Sequence, residues 1–223
     1  ALDLAEYRND LAGIHAVMGF NLVDWGRPAQ GLEHYELSLD HARSTGNRRR
    51  EIWTLGLGGW GMLAAGRLAD ADQWLSNCLA LIDQQQWVAF RPWPVAVLSE
   101  SQLRRDVPPA GLRPALEQAF ALSCQVQDPC WEAAVARTLA LTYAAENELA
   151  KAMDWLREAR KRAARDTDVY AALQVSILAN QTDISARQGL IDAADAFARE
   201  WVALAARTHM DTHVERAAAF IRR

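Results

Sequence analysis

The sequence predicts an all-α chain of stacked helix pairs, and three observations carry that expectation. A helix-turn-helix pattern recurs about every 40 residues, with turns at Gly26, Gly66, near Val107, at Asn147 and at Gly189. The apolar residues flanking each turn advance by three and four positions, the helical period. Alanine is abundant while valine, isoleucine and threonine are sparse, which favours helix over sheet. Together these imply a right-handed α-α superhelix of about five helix pairs with a C-terminal capping helix.

The expected repeats span 10–47, 50–87, 91–127, 130–165 and 168–207, with the capping helix over 212–222, all in one domain covering 1–223. The second helix of each repeat shows one clear stripe: Leu32, Tyr35, Leu39 and Ala42, then Leu68, Ala71, Leu75, Cys78 and Ile82. Leu149, Ala152, Leu156 and Ala159 repeat it, as do Leu190, Ala193, Phe197, Trp201 and Leu204. First helices are apolar on more than one side, Leu139 to Ala145 most of all, as suits a helix with neighbours on two sides. Asp128-Pro129 places proline in a first turn, where its missing N–H is harmless. Thr212 to Glu215 reads as a capping box opening the last helix. In the third repeat, Pro92, Pro94, Pro108, Pro109 and Pro114 interrupt the pattern, and Val107 to Gly111 reads as an exposed loop.

Bulk properties narrow the function class. With 223 residues and a formal charge of −4, the chain has no global attraction to nucleic acid or anionic lipid. The basic runs Arg48–Arg50 and Arg157–Arg165 read as solvated faces that complement helix C-termini. Three cysteines outside any CxxC pattern suggest a reducing, cytoplasmic setting. No apolar run approaches the roughly 18 residues of a membrane span. The chain opens at Ala1 without an initiator Met, in text that is already helical, and is expected to be a piece of a longer protein.

Motifs for chemistry are weak. Gly56-Leu57-Gly58-Gly59-Trp60-Gly61 fits G-x-G-x-x-G, but it lies inside a helix rather than after a strand, so close helix packing is the expected role. There is no Walker A sequence, no HExxH and no CxxC, and neither a metal nor a cofactor is expected. His209 and His213 are divided by the expected helix start, while His15, His34 and His41 are scattered. Nine tryptophans are many for this length. Trp25, Trp74, Trp155 and Trp201 read as packing residues, whereas Trp53 and Trp60 share nearly one helix face.

The spacing of small and bulky residues resembles tetratricopeptide-like repeats. Gly19, Gly26, Gly31, Tyr35 and Ser38 follow that pattern, as do Gly59, Gly66, Ala71, Leu75 and Cys78, and Ala140, Asn147, Ala152, Leu156 and Ala159. The period departs from the family's usual 34 residues, so HEAT-like stacking competes. The resemblance implies a partner-binding groove lined by first-helix residues: Phe20, Asp24, Trp53, Trp60, Arg137, Asp183 and Arg187, with Arg104 and Arg105 if the third repeat keeps register. Trp60 and Arg137 are expected to be partly exposed on one concave surface. The alanine- and arginine-rich style, as in Gly66-Arg67-Leu68-Ala69-Asp70-Ala71, is similar to the C-terminal halves of large bacterial ATP-dependent LuxR-type regulators. Such a protein would capture a protein or peptide partner, or a small effector, for an attached nucleotide-switch or DNA-binding domain outside this chain. Direct nucleic-acid or membrane binding is not expected. The competing expectation is an α-helical enzyme with a pocket between helices.

Overall fold

The structure is a computed structural model that describes residues 2–165 and 170–222, so the expected start of the fifth repeat at 168 lies outside the described residues. Among the described residues there are eleven α-helices and no strand. The chain divides into two compact units, Ala1–Asp106 and Val107–Arg223. The division falls in the turn of the third expected repeat, so the two helices of that pair belong to different units.

The first unit contains α1 (Leu2–Asp24), α2 (Pro28–Ser44), α3 (Arg48–Ala64), α4 (Leu68–Gln85), a 3-10 turn at Val88–Phe90 and α5 (Pro92–Leu103). Each helix packs on the next, and α3 also touches both α1 and α5. That double contact explains why α3 is apolar nearly all round. Glycine appears where α3 meets bulky neighbours. A Cβ at Gly56 would lie 2.7 Å from the Phe90 ring, and Cβ atoms at Gly58 and Gly59 would strike Trp74 and Leu75. The G-x-G-x-x-G match is therefore a packing surface, as its position inside a helix led us to expect.

The crossing of α1 and α2 is closer still. A Cβ on Gly31 would stand 2.8 Å from the Gly19 carbonyl oxygen and 2.7 Å from Val23 Cγ2. Tyr35, fully buried, packs against Gly19 and Gly61. Its hydroxyl is buried with no hydrogen-bond partner. Burial, and then the charge of Asp24, raise the phenol well above its usual range. Tyr35→Phe removes an unsatisfied polar atom at nearly constant volume and is expected to raise stability by about 1 kcal/mol. Urea denaturation at neutral pH checks this, and a loss of stability would mean the hydroxyl has a partner.

The second unit contains α6 (Pro109–Val126), α7 (Pro129–Ala145), α8 (Leu149–Ala163), α9 (Ala171–Arg187), α10 (Ile191–Arg207) and α11 (Asp211–Ile221). Successive helices pack together, and α7 touches α9 as α1 touches α3. Ala152, Leu156 and Ala159 are fully buried along α8, and Ala71, Leu75 and Cys78 occupy the same places along α4. Gly26, Gly66 and Gly189 take left-handed backbone at the turns, and Asn147 does so at the equivalent turn with φ 61°. Glycine adopts that conformation freely, and asparagine is the side chain that tolerates it best.

Several boundaries differ from the sequence expectation. α1 begins at Leu2, about two turns before position 10. α6 begins at Pro109, so Gly111 is helical: Pro108 is the N-cap and Pro109 the first helical residue, where a fixed φ and a missing N–H suit the helix. Pro114 sits inside α6 without ending it. No capping box opens α11. Met210 is its N-cap, without a side-chain bond, and Thr212 already lies in the first turn. The cause is local: His209 takes left-handed backbone, and buried Met210 anchors the chain before the helix.

Candidate functional site

Each unit carries its own share of the expected groove residues. In the first unit, aromatic side chains line the seam between α3, the 3-10 turn and α5. Trp53 stacks on Phe90 with centroids 5.0 Å apart, Phe90 stacks on Trp87 at 5.3 Å, and the Arg49 guanidinium lies 5.4 Å from the centre of the Trp87 ring. Trp60 meets Trp93 at 5.9 Å, and the Trp93 indole N–H donates to the Gly56 carbonyl at 3.1 Å. Trp53, Trp60 and Trp87 are half-buried, while Phe90 and Trp93 are buried. The Trp60 Nε1 atom is enclosed and lacks a hydrogen-bond partner.

Phe20 and Asp24 lie half-buried on α1. Arg104 is exposed and pairs at 2.5 Å with the buried carboxylate of Glu100, and Arg105 pairs with Asp72. These two arginines therefore brace the end of the first unit. Along α1, Leu4, Tyr7, Ile14, Val17 and Met18 expose apolar surface, and so does Trp25 in the turn that follows. Trp25 is thus not the packing residue the sequence suggested.

The histidines expected to be scattered come together. His15 of α1 and His34 of α2 face each other with Nδ1 atoms 2.8 Å apart and rings stacked at 5.0 Å. His41 also stacks on His15, nearly parallel at 5.8 Å. Among the described residues, no group of three or more His, Cys, Asp or Glu is placed to hold a metal ion.

Two glutamates play matching parts that motif reading missed. Asn47 caps α3 by accepting from the Arg50 N–H, and four residues on, Glu51 binds Arg43 and Arg48 at 2.8 and 2.6 Å. Asp128 caps α7 by accepting from the Trp131 N–H, and four residues on, Glu132 binds Arg162 and Arg165 at 2.5 and 2.6 Å. Both carboxylates are buried. Burial alone would raise the Glu51 carboxyl, but the hydrogen bonds and charges of its two arginines overcome this and hold it below its ordinary range. The signal was available: an Asn or Asp cap followed four positions later by Glu, with arginines nearby. The basic run Arg160–Arg162 does lie in the last turn of α8, whereas Arg48–Arg50 open α3, where Glu51 offsets a charge placed at the wrong end of the helix dipole.

In the second unit, Arg137 is buried, at 7% exposure, rather than partly exposed. Its Nε donates to Asn180 Oδ1 of α9 at 2.8 Å. Arg187 Nη2 donates to the Ala144 carbonyl at 2.8 Å, and Arg187 faces exposed Asp183 at 3.7 Å. Close to these residues, a cleft of about 440 Å³ opens between α9, α10 and α11, lined by Asn180, Asp183, Trp201, Arg216 and Phe220 among others. The Arg216 guanidinium stands 5.6 Å from the centre of the Trp201 ring. Trp201 Nε1 donates to His213 Nδ1 at 3.3 Å, which leaves the Nε2 of the neutral ring carrying the proton. Burial, then the charges of Arg216 and Arg137, lower the His213 pKa to about 4. Two cations therefore act on the same imidazole. Sequence reasoning named Arg137 and Asp183 but missed Trp201, His213 and Arg216, because α11 read only as a cap.

The thiols of Cys78 and Cys130 are poorly suited to act as nucleophiles. Burial pushes Cys78 far up, and burial together with Asp128 pushes Cys130 up to about 12. Among the described residues no helix is long and apolar enough to cross a membrane. No protein-family model matches the chain, and no curated protein matches it.

Proposed function

We propose that this chain is a protein-interaction or ligand-sensing helical repeat scaffold, of the kind that serves cytoplasmic bacterial signalling and transcription-regulatory proteins. The observation that carries this reading is the cleft between α9, α10 and α11. Its polar lining combines the Asn180 amide and the Arg216 guanidinium with the exposed carboxylate of Asp183. Asn180 accepts from Arg137 through its Oδ1, and Arg216 offers a guanidinium. Trp201 and Phe220 supply apolar contact area beside them. Such a lining suits a carboxylate-bearing segment of a partner, since arginine recognises carboxylates through paired hydrogen bonds and tryptophan anchors interfaces. The apolar stripe on α1 and the half-buried tryptophans of α3 support the same reading in the first unit, because exposed apolar patches mark interaction surfaces.

The test is selection of a random peptide library on the full chain, followed by titration of the consensus peptide. Acidic peptides are expected to be enriched. Arg216→Gln should weaken their binding by about 1–2 kcal/mol while leaving helicity unchanged. No enrichment would remove the scaffold reading, and unchanged binding by Arg216→Gln would remove this cleft from it.

A further inference from the structure

We propose that His15, His34 and His41 form a proton-sensitive clasp between α1 and α2, closed when the rings are neutral and loosened when they are protonated. This inference is independent of the scaffold reading and of the α9–α11 cleft. It stands on geometry. The 2.8 Å approach of the two Nδ1 atoms requires one ring to donate and the other to accept. A second proton on the pair removes the acceptor and places two cations against each other. His41 is also stacked on His15, at 5.8 Å, so a charge on any ring acts on a neighbour stacked against it.

Burial, and then the charges of His34 and His41, lower the His15 pKa. On α1, the charged residues whose side chains are described are Glu6, Arg8, Asp10 and Asp24. On α2, Glu33 and Asp40 adjoin the other two histidines in sequence. From α3, Arg50 lies against Gly13 of α1, and Glu51 is tied to Arg43 and Arg48.

The clasp joins the middle and the last turn of α2 to the middle of α1. Around it, Ser38 Oγ donates to the Ala12 carbonyl at 2.7 Å, and Thr45 Oγ1 donates to Asn9 Oδ1 at 2.8 Å. These polar ties do not titrate, so loosening begins at the imidazoles. The Nδ1 separation is shorter than the roughly 3.3 Å between two nitrogens bound tetrahedrally to zinc, given Zn–N bonds of about 2.0–2.1 Å. The arrangement suits a shared proton rather than a metal.

The experiment is amide hydrogen exchange of the full chain at about pH 7.5 and about pH 5.5, corrected for intrinsic exchange. Protection across the middle of α1 is expected to fall by about tenfold, while α4 changes little. The double variant with His34→Gln and His41→Gln should lose that response. A ring-proton titration of the unaltered chain supplies a second readout, with His15 titrating below 6.5. An equal fall in the double variant, or an ordinary midpoint for His15, overturns the clasp. So does a gain in α1 protection at about pH 7.5 on adding equimolar zinc or nickel, which would make the cluster a metal site.

Discussion

Gly31→Val is expected to lower stability by about 3 kcal/mol, the upper part of the range for forcing volume into a close-packed core. The position leaves no room on either side. A Cβ there meets the Gly19 carbonyl oxygen at 2.8 Å and Val23 Cγ2 at 2.7 Å. A flexible side chain could swing away, but the Gly19 carbonyl is part of the α1 backbone, so the whole helix would have to move. Moving α1 would also disturb Tyr35, whose ring lies against Gly19 and Gly61. Gly111→Ala is the matched control. It sits in the first turn of α6, and a Cβ there meets nothing within 4 Å. That substitution reduces unfolded-state freedom without a clash and is expected to add about 0.5–1 kcal/mol. Urea midpoints at constant m-value read both. If Gly31→Val costs less than about 1 kcal/mol, the helices can part more easily than this crossing implies.

The same crossing shows what the sequence made legible. Gly31, Ala71 and Ala152 are buried small residues on the expected stripes, and the turns fall at Gly26, Gly66, Asn147 and Gly189. Helical period and left-handed turn residues are local properties, so they can be read along the chain. Relations between helices are harder to read. His15, His34 and His41 look scattered because they are 19 and 26 positions apart, yet antiparallel helices folded about Gly26 bring such residues face to face. The same reflection pairs Gly19 with Gly31 and Ala12 with Ser38.

The sites were legible only in part, for a related reason. Carrying groove positions from a family pattern placed Arg137 on a first helix, and it is there, but it is buried against Asn180. A pattern gives a residue's position on a helix, not the side chain it meets on the next one. Trp201, His213 and Arg216 depend on where α11 starts, and that start shifted once His209 turned left-handed and Met210 became the cap.

His213 gives the second large effect, a loss of stability in mild acid. The unfolded imidazole titrates near 6.5, whereas burial and the charges of Arg216 and Arg137 bring the folded value down to about 4. Above pH 6.5 neither state holds the proton, and the full stability is present. Between about 6.5 and about 4 the unfolded chain binds a proton that the folded chain refuses, so stability falls as pH falls. Below the folded value both states are protonated, and this contribution is gone. Full weight would be roughly 3 kcal/mol; the ring is partly open to solvent screening, which reduces the expected loss to about 2 kcal/mol. His213→Gln isolates the contribution, because the glutamine oxygen can still accept from the Trp201 indole N–H but does not titrate. The difference in unfolding free energy between about pH 7 and about pH 4.5 should therefore shrink by most of that amount in the variant. An undiminished pH dependence in His213→Gln would falsify the assignment and move the acid sensitivity to other groups. Glu51 is not a competing source in this window. Its folded carboxyl titrates below its ordinary value, so its stabilising contribution is present above that value and is lost at lower pH, as pH falls through the folded one.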